Sequence, residues 1–156
     1  MKNNINWSNY GHTFEDHIEP DDNDLKMRLI LGKYDCGTYD GNAISIASRF
    51  VSENIAKKVI DYTLEKKKDD IATWLKEACV EKTVFYINFM KPIGYGYVKN
   101  TNWDNPYPLY KLCIVLQADC HFRNYEIVTC YPVPNNAVKA QIIKDRKNFL
   151  SRKLKK

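Results

Sequence analysis

The sequence NYEIVTCYP, residues 124–132, alternates side chains of different polarity and is rich in β-branched and aromatic residues. A two-residue period of this kind is typical of a β-strand. The same period predicts strands at residues 83–90 and 109–118, and a further strand at 93–99 whose glycines predict a bend or bulge. A weaker strand pattern covers residues 43–51. The second half of the chain is therefore predicted to be an antiparallel sheet.

Helical patterns precede most of these strands. Residues 13–18 predict a short helix, and the acidic cluster at 21–24 offers N-caps and a favourable dipole interaction for a second helix, which Gly32 ends. Ser52 caps a third helix and Asp69 begins a fourth. Helices followed by antiparallel strands indicate an α+β fold.

The composition is that of a soluble globular protein. The chain has 156 residues, of which 44% are hydrophobic and 28% are charged, and this length suits one domain. No apolar run approaches the ~20 residues that span a bilayer, and residues 1–10 lack the apolar core of a signal peptide. We therefore expect a soluble domain with no membrane span.

The basic charge lies at the C-terminal end of the chain. The net charge is +5, and residues 137–156 hold eight lysines and arginines against one acid. Residues 135–156 predict an amphipathic helix, appended to a domain of residues 1–134, that docks on the body of the domain or on an anionic partner. Four of its cations are candidate substrate-binding residues: Lys139, Lys144, Arg146 and Lys147.

The five cysteines include no C-x-x-C pair, so a structural zinc site is not expected. Free buried thiols are the usual state of such cysteines. One disulfide is left open, between Cys120 and Cys130 near the ends of two neighbouring strands. No nucleotide-binding glycine loop and no H-E-x-x-H motif occurs. We expect neither a metal nor another cofactor.

A second stretch, GHTFEDHIEPDDNDLKMRL at residues 11–29, contains two histidines, six carboxylates and one arginine. Helix capping accounts for most of the carboxylates. Pro20 interrupts the helix between His17 and Arg28, so spacing does not place these two side chains on one helix face.

Hydroxyl groups mark the last predicted strand. Thr129 and Tyr131 lie two residues apart, so their hydroxyls should project from one face, with Tyr125 and Ile127 further along it. We expect this face to meet the 11–29 stretch.

Four motifs occur in order between residues 11 and 132: G-H-T-x-x-x-H, D-L-x-x-R-L, W-L and I-V-T-C-Y-P. Together they resemble the bacterial ribonuclease A-like toxin domain, found at the C-termini of contact-dependent growth-inhibition and other polymorphic toxins. The resemblance implies N-terminal helices packed on a curved antiparallel β-sheet. Carried over by motif, it also implies four catalytic residues: His17, Arg28, Thr129 and Tyr131. At residues 19–22 the chain has Glu-Pro-Asp-Asp where many members have Gly-Lys-Ser/Thr-Asp.

These residue types suit RNA cleavage without a metal. The reaction needs a base for the 2′-OH proton, an acid for the departing 5′-oxygen and positive charge beside the phosphorane. An imidazole titrates near about pH 6.5 and serves as base or acid, so His17 takes one role, while Arg28 neutralises charge. Thr129 could bond a phosphate oxygen or a base edge. The second acid–base group is left open between Tyr131, His12 and His121.

Two hypotheses follow. The first is a metal-independent ribonuclease toxin for competition between bacteria, which leaves a 2′,3′-cyclic phosphate. It implies an RNA substrate, a cognate immunity protein, a monomeric domain and delivery within a secreted or cell-surface toxin to the cytoplasm of a target bacterium. The alternative is a non-catalytic RNA- or protein-binding module that uses the basic C-terminal helix.

Overall fold

The computed structural model describes residues 5–33, 35–36, 44–78, 81–119 and 124–154. Its helices are α1 Thr13–His17, α2 Asp22–Leu31, α3 Glu53–Lys66, α4 Lys68–Thr73 and α5 Asn136–Leu154. Its strands are β1 Asp35–Cys36, β2 Ser45–Phe50, β3 Lys82–Asn88, β4 Gly94–Val98, β5 Tyr107–Leu109, β6 Lys111–Asp119 and β7 Asn124–Val133. A 3-10 turn at Trp7–Tyr10 precedes α1, and a π-helical turn at Trp74–Ala78 continues α4.

The strands form two antiparallel sheets, which confirms the predicted α+β class. One sheet has the order β1-β2-β4-β5 and the other β3-β6-β7. Tyr110 alone separates β5 from β6, so the chain passes directly from one sheet into the other. The Ser48 hydroxyl of β2 also donates to the Pro132 carbonyl of β7 at 2.9 Å. The sheets are therefore joined at two places.

The four-stranded sheet is covered on both faces. Leu25 and Leu29 of α2 pack with Ala47 on one face, while Ile142 of α5 packs with Ile46 on the other. All five side chains are at most 1% exposed. Burial on both faces removes the polar alternation of β2 and explains the weak strand pattern at residues 43–51.

One face of the three-stranded sheet packs on α3 and α4. Ala56 and Ile60 of α3 and Ile71 of α4 join Ile114 and Leu116 in a buried core. The opposite surface is called the outer face below. Paired residues of adjacent strands share a face, so strand pairing defines its central members. These are Tyr86, Lys111, Cys113, Val115, Thr129 and Tyr131.

The local signals that predicted the helices are confirmed. The Asp21 carboxylate accepts a hydrogen bond from the backbone of Asp24 and the reverse bond is also present, which makes a capping box for α2. Gly32 ends that helix in the left-handed conformation, at φ 73°. The Ser52 hydroxyl caps α3 by accepting from the Ile55 backbone.

The bulge that was one alternative predicted for β4 is wrong. Gly94 and Gly96 hold regular pairing positions in β4. A Cβ atom on Gly94 would lie 2.3 Å from the Arg49 carbonyl oxygen, so close approach of β2 explains this glycine.

The bulge lies instead in β7. Val115 pairs with Thr129 and Leu116 pairs with Ile127, which leaves Val128 as the extra residue. Odd-numbered side chains of β7 therefore lie on opposite faces of the sheet before and after Val128.

The bulge overturns one predicted arrangement of side chains. Thr129 and Tyr131 lie on the outer face, as their pairing with Val115 and Cys113 requires. Tyr125 and Ile127 pack with the core on the opposite face. The prediction that all four share one face is therefore wrong, because an uninterrupted two-residue period does not continue through a bulge.

Cys113 and Cys130 are buried free thiols, as predicted, and burial raises the pKa of Cys130 to about 12. The disulfide between Cys120 and Cys130 that the sequence left open is wrong, because Cys130 is a free thiol. Cys79, Cys120 and His121 lie outside the described residues, so the role of His121 stays a prediction. Within the described ranges, no helix is both long and apolar enough to cross a membrane.

Candidate active site

Helix α1 is docked along the free edge of β7. The backbone N–H of His12 donates to the Val128 carbonyl at 2.9 Å, and the backbone N–H of Cys130 donates to the Thr13 hydroxyl at 3.0 Å. Two residues after Cys130, the Pro132 carbonyl accepts a hydrogen bond from the Ser48 hydroxyl of β2. An exposed strand edge normally needs protection by other elements. Here α1 and β2 supply it, and this fixes α1 on the strand.

His17 follows Thr13 by four residues, so both side chains face β7 from the same side of α1. The His17 side chain is only 3% exposed. Its ring stacks on Tyr131, with 5.0 Å between ring centroids and 26° between planes. The first and last stretches singled out in the sequence therefore meet at this pair.

One hydrogen bond sets the tautomer of His17. Its Nδ1 lies 3.0 Å from the Ser48 carbonyl oxygen. A carbonyl only accepts, so Nδ1 must carry the proton and donate. In the neutral ring the lone pair is then on Nε2. Ser48 thus orients both β7, through its hydroxyl, and His17, through its carbonyl.

The Thr129 hydroxyl is buried. Among the residues that the structure describes, its oxygen has no hydrogen-bond partner. Leaving a buried polar group unpaired costs about 1–3 kcal/mol, so such groups are uncommon and often functional. Thr129 lies two residues from Tyr131 on the outer face, beside the His17 ring stack.

Arg28 reaches α1 from α2. Its Nη1 donates to the carbonyl oxygen of Asp16 at 2.6 Å, and Asp16 immediately precedes His17. Arg49 of β2 holds the connecting turn, because its Nη1 donates to the Pro20 carbonyl at 2.7 Å. The break at Pro20 therefore folds α2 back, which brings Arg28 to the end of α1 that carries His17.

The carboxylates of the 11–29 stretch serve mainly structural contacts. Asp21 and Asp24 form the capping box of α2. Asp22 accepts a hydrogen bond from the Tyr95 hydroxyl at 2.9 Å, and burial together with this bond raises the pKa of Tyr95. These contacts agree with the capping role predicted for the acidic cluster.

The remaining predicted residues that the structure describes are His12 and four cations of α5. The side chain of His12 is 73% exposed, and its Nδ1 lies 3.6 Å from a Glu15 carboxylate oxygen. Of the predicted cations on α5, Lys139 is half-buried. Partial burial lowers the pKa of Lys111, and the charge of Lys139 lowers it further. Of the other three, Lys144 and Lys147 are exposed and Arg146 is half-buried.

Three residues that hold the site were not identified from the sequence: Thr13, Ser48 and Arg49. Thr13 had a usable signal, since it precedes His17 by one helical turn. Ser48 lies 31 positions from His17 and Arg49 lies 29 positions from Pro20, and their contacts depend on how β2 meets other elements. No local pattern reveals such contacts.

Comparison with protein-family models finds a match to the bacterial CdiA-CT RNase A domain over residues 11–132. The chain belongs to this family. The match begins at Gly11, which contacts β7, and ends at Pro132, which accepts the Ser48 bond. The predicted resemblance is thus confirmed over the elements that form the site.

The CdiA-CT RNase A fold is also found by structural comparison. A chain in the crystal structure of the CdiA-CT/CdiI complex from Y. kristensenii 33638 matches with a TM-score of 0.64 and 21% identity. The match covers 80% of this chain and 100% of the other. Comparison with curated protein sequences returns no match.

Membership in the CdiA-CT RNase A family confirms the predicted class of activity. The domain is a ribonuclease toxin domain of the contact-dependent growth-inhibition type. Within the described ranges, no three His, Cys, Asp or Glu side chains converge as candidate metal ligands.

Proposed function

We propose that this domain is an endoribonuclease that works without a metal, cleaving RNA by attack of a 2′-OH on the adjacent phosphate. The product would be a 2′,3′-cyclic phosphate and a 5′-OH. The observation that carries the proposal is the buried His17 ring, oriented by Ser48 and stacked on Tyr131. An imidazole held in one tautomer beside a phenol supplies the two proton-transfer groups that this reaction needs.

His17 acts as the base. Its Nδ1–H is committed to the Ser48 carbonyl, so Nε2 takes the proton from the 2′-OH. The imidazole becomes positively charged, and the Ser48 carbonyl oxygen stabilises that charge by accepting the Nδ1 hydrogen bond. The 2′-oxygen then attacks phosphorus, and the bond to the 5′-oxygen breaks.

Arg28 and Thr129 stabilise the phosphorane. The hydrogen bond to Asp16 occupies one N–H of Arg28, and a guanidinium carries five such donors, so the group can also bond phosphate oxygens. The Thr129 hydroxyl, buried without a described partner, gains an acceptor when a phosphate oxygen reaches it.

Tyr131 acts as the acid for the leaving 5′-oxygen. Its ring lies against His17, whereas the His12 side chain is exposed beside Glu15. After transfer, water returns a proton to the phenolate and takes one from the imidazolium. Phenols titrate near about pH 10 and imidazoles near about pH 6.5. A phenol keeps its proton to higher pH than an imidazole does, so a Tyr131 acid predicts no falling limb in the pH range where a second histidine would produce one.

The direct test is incubation of the purified domain with RNA in excess EDTA, followed by identification of the new ends. We expect cyclic phosphate ends from the wild type. Loss of a proton-transfer group costs about 10²–10⁴-fold in rate, so His17→Ala and Tyr131→Phe should fall in this range. Arg28→Ala should lose about 10²-fold or more.

A matched control for Tyr131→Phe is Tyr62→Phe, which removes a half-exposed hydroxyl from α3, on the covered side of the three-stranded sheet. Full dependence on an added metal, or unchanged cleavage by His17→Ala, would overturn the mechanism. A bell-shaped pH profile that His12→Ala abolishes would assign the acid to His12. Salt-sensitive RNA binding with no cleavage would favour the alternative binding module.

We also infer an immunity partner, because the similar structure is a complex of CdiA-CT with CdiI. A cognate immunity protein would cover the surface where α1 meets β7 and place acidic groups opposite Arg28 and Lys111 of the outer face. The product of the neighbouring open reading frame should then inhibit cleavage at a one-to-one ratio, and Arg28→Ala should weaken binding. If the immunity protein inhibits cleavage while Arg28 and Tyr131 remain accessible to chemical modification, the interface lies elsewhere on the domain.

We propose that the domain acts in the cytoplasm of a target bacterium after delivery as part of a secreted or cell-surface toxin. Expression of the domain inside a bacterium without the immunity gene should stop growth. His17→Ala should restore growth at an equal protein level. Growth arrest that persists in this variant would separate toxicity from RNA cleavage.

A further inference from the structure

A groove of about 650 Å³ opens between the C-terminal ends of α2 and α5. Leu29 and Ile30 of α2 line it together with Phe149 of α5. The loop that joins β4 to β5, residues 99–106, also contributes to its lining. The volume lies within the range of about 300–1,000 Å³ that is usual for sites of small organic groups. This cavity is called the α2–α5 groove below.

Two side chains fix the loop that lines the α2–α5 groove. The Thr101 hydroxyl and the Trp103 indole N–H both donate to the Val98 carbonyl oxygen, each at 2.8 Å. Trp103 also packs against the buried cluster that contains Leu29. The indole N–H is the only polar group of this side chain, and it is already bonded. The ring is therefore held in place as an apolar wall of the groove.

Helix α5 brings a second ring and two cations to the α2–α5 groove. Phe149 follows Ile142 by seven residues, so both lie on the side of α5 that faces the four-stranded sheet. Arg152 and Lys153 follow Phe149 by three and four residues, which places them on the same side. The Lys153 Nζ lies 5.0 Å from the centroid of the Phe149 ring.

The charged groups of the α2–α5 groove are all positive. Arg152 and Lys153 line it together with Lys99, and no described residue of its lining is acidic. Asp145 lies on the same helix, but its carboxylate accepts a hydrogen bond from the Tyr107 hydroxyl at 2.6 Å. The groove therefore suits an anion that also carries an apolar group.

Two exposed amide side chains, of Asn100 and Asn102, complete the lining of the α2–α5 groove. An amide both donates and accepts hydrogen bonds, as the edge of a nucleobase does. Single-stranded RNA is bound by this combination of groups, since bases stack on aromatic rings, base edges bond amides and phosphates bond cations.

We propose that the α2–α5 groove binds an unpaired nucleotide of the RNA substrate, away from the cleaved bond. The inference rests on the proposed ribonuclease activity. The base packs against Trp103 and Phe149, while neighbouring phosphates make charge-assisted hydrogen bonds with Arg152 and Lys153. Helix α5 lies beyond residues 11–132, so the family match does not account for this groove.

Helix α2 separates the α2–α5 groove from the predicted catalytic arginine. Arg28 and Ile30 are two positions apart, which is about 200° around a helix, so they point to opposite sides of α2. Arg28 bonds the Asp16 carbonyl on one side, and Ile30 lines the groove on the other. A helix with its side chains is about 10–12 Å across. One RNA strand that occupies both positions must therefore be longer than a dinucleotide.

Substrate length provides the kinetic test. We compare a dinucleotide with an unstructured RNA of about twelve nucleotides, a length within the usual range of single-strand sites. Phe149→Ala should raise KM about tenfold for the longer RNA, and Phe149→Tyr, which keeps the ring, should restore the wild-type value. Arg152→Gln should also raise this KM and should lower its dependence on salt by about one unit of the log–log slope. With the dinucleotide, all three variants should match the wild type in both kcat and KM.

Two variants control for lost packing and lost charge. Leu150→Ala removes a neighbouring side chain of α5 that is 42% exposed and does not line the groove. Lys58→Gln removes an exposed lysine from α3. Both should leave KM for the longer RNA within about twofold of the wild type. Wild-type KM values in Phe149→Ala and Arg152→Gln would overturn the RNA site, and weakened inhibition by the immunity protein in the same variants would assign the groove to a protein.

A binding measurement separates this inference from the proposed mechanism. In the His17→Ala variant labelled with 5-fluorotryptophan, the longer RNA should shift the fluorine NMR signal of Trp103. The signals of Trp7 and Trp74, which are each 9% exposed and do not line the groove, should stay in place. An unmoved Trp103 signal at saturating RNA would overturn the groove site. A shift of Trp103 by RNA that the wild type does not cleave would contradict the ribonuclease mechanism and leave the groove site supported.

Discussion

Replacement of Gly11 by alanine should separate α1 from β7. Gly11 has φ 61° and ψ −134°, a conformation that side-chain-bearing residues rarely adopt. A Cβ atom here would lie 2.0 Å from the Val128 carbonyl oxygen and 2.4 Å from that of Ile127. Both obstructing atoms belong to the backbone of a paired strand. The start of α1 must therefore move.

Gly32 is a matched control for the conformational part of this effect. It also has a positive φ, 73°, but no atom lies within 4 Å of its ideal Cβ position. Alanine in the left-handed conformation of Gly32 costs about 1–2 kcal/mol. The ψ of −134° puts Gly11 outside the left-handed region, where alanine costs about 1–3 kcal/mol. Moving α1 also breaks the bonds from His12 to Val128 and from Cys130 to Thr13, which contribute about 1 kcal/mol each, and more if a buried donor is left unpaired. We expect losses of about 3–5 kcal/mol for Gly11→Ala and 1–2 kcal/mol for Gly32→Ala.

Denaturant unfolding of the two variants measures this difference. The gain from restricting the unfolded chain is similar for both substitutions, so it cancels in the comparison. At this chain length each kcal/mol corresponds to about 2–4 °C in Tm. Below its Tm, Gly11→Ala should also lose most ribonuclease activity because His17 moves with α1, whereas Gly32→Ala should keep it. Equal stability losses in the two variants would refute the steric role assigned to Gly11.

Three further predictions concern stability. Thr13→Val removes the acceptor of the Cys130 N–H and should cost about 2–4 kcal/mol in denaturant unfolding, whereas Thr13→Ser keeps the bond and should lose less than half as much. Burial and the hydrogen bond to Asp145 raise the pKa of Tyr107, so the folded state keeps this proton after the unfolded chain loses its own, and stability should fall as pH rises above about 10. Unfolding of Tyr107→Phe between pH 8 and 11 should show a shallower fall, and an unchanged slope would contradict the assignment. Truncation after Pro134 should prevent cooperative unfolding, because Ile142 of α5 is fully buried on the four-stranded sheet; a stable truncated domain would support the boundary predicted from the sequence.

The helices could be predicted because their signals are local. The Asp21 capping box, the Ser52 cap and the Gly32 stop each act within three or four residues, so the sequence alone reveals them. The strands of the second half were also predicted to within a few residues. The separation into two sheets was not, since it depends on Tyr110, one residue in an apparently continuous strand pattern.

The candidate site could be predicted only in part. Each residue type suggested chemistry, but spacing did not bring His17 to Arg28, and only resemblance to a family grouped them with Tyr131. The structure supplies the physical link: Pro20 is held by Arg49, and the chain reverses so that Arg28 bonds the residue before His17. These bonds join residues from separate elements, so they lie beyond any local pattern.

The bulge at Val128 explains why one strand can serve both the core and the site. In a regular strand, residues 125, 127, 129 and 131 would share a face. Tyr125 and Ile127 would then be on the outer face with the hydroxyls, or Thr129 and Tyr131 would be buried in the core. One extra residue resolves the conflict, since Ile127 pairs with Leu116 in the core while Thr129 pairs with Val115 outside it. The same residue offers its carbonyl to His12 at the start of α1. The irregularity that turns Tyr131 toward the outer face therefore also anchors the helix that carries His17, so deleting Val128 should remove both at once.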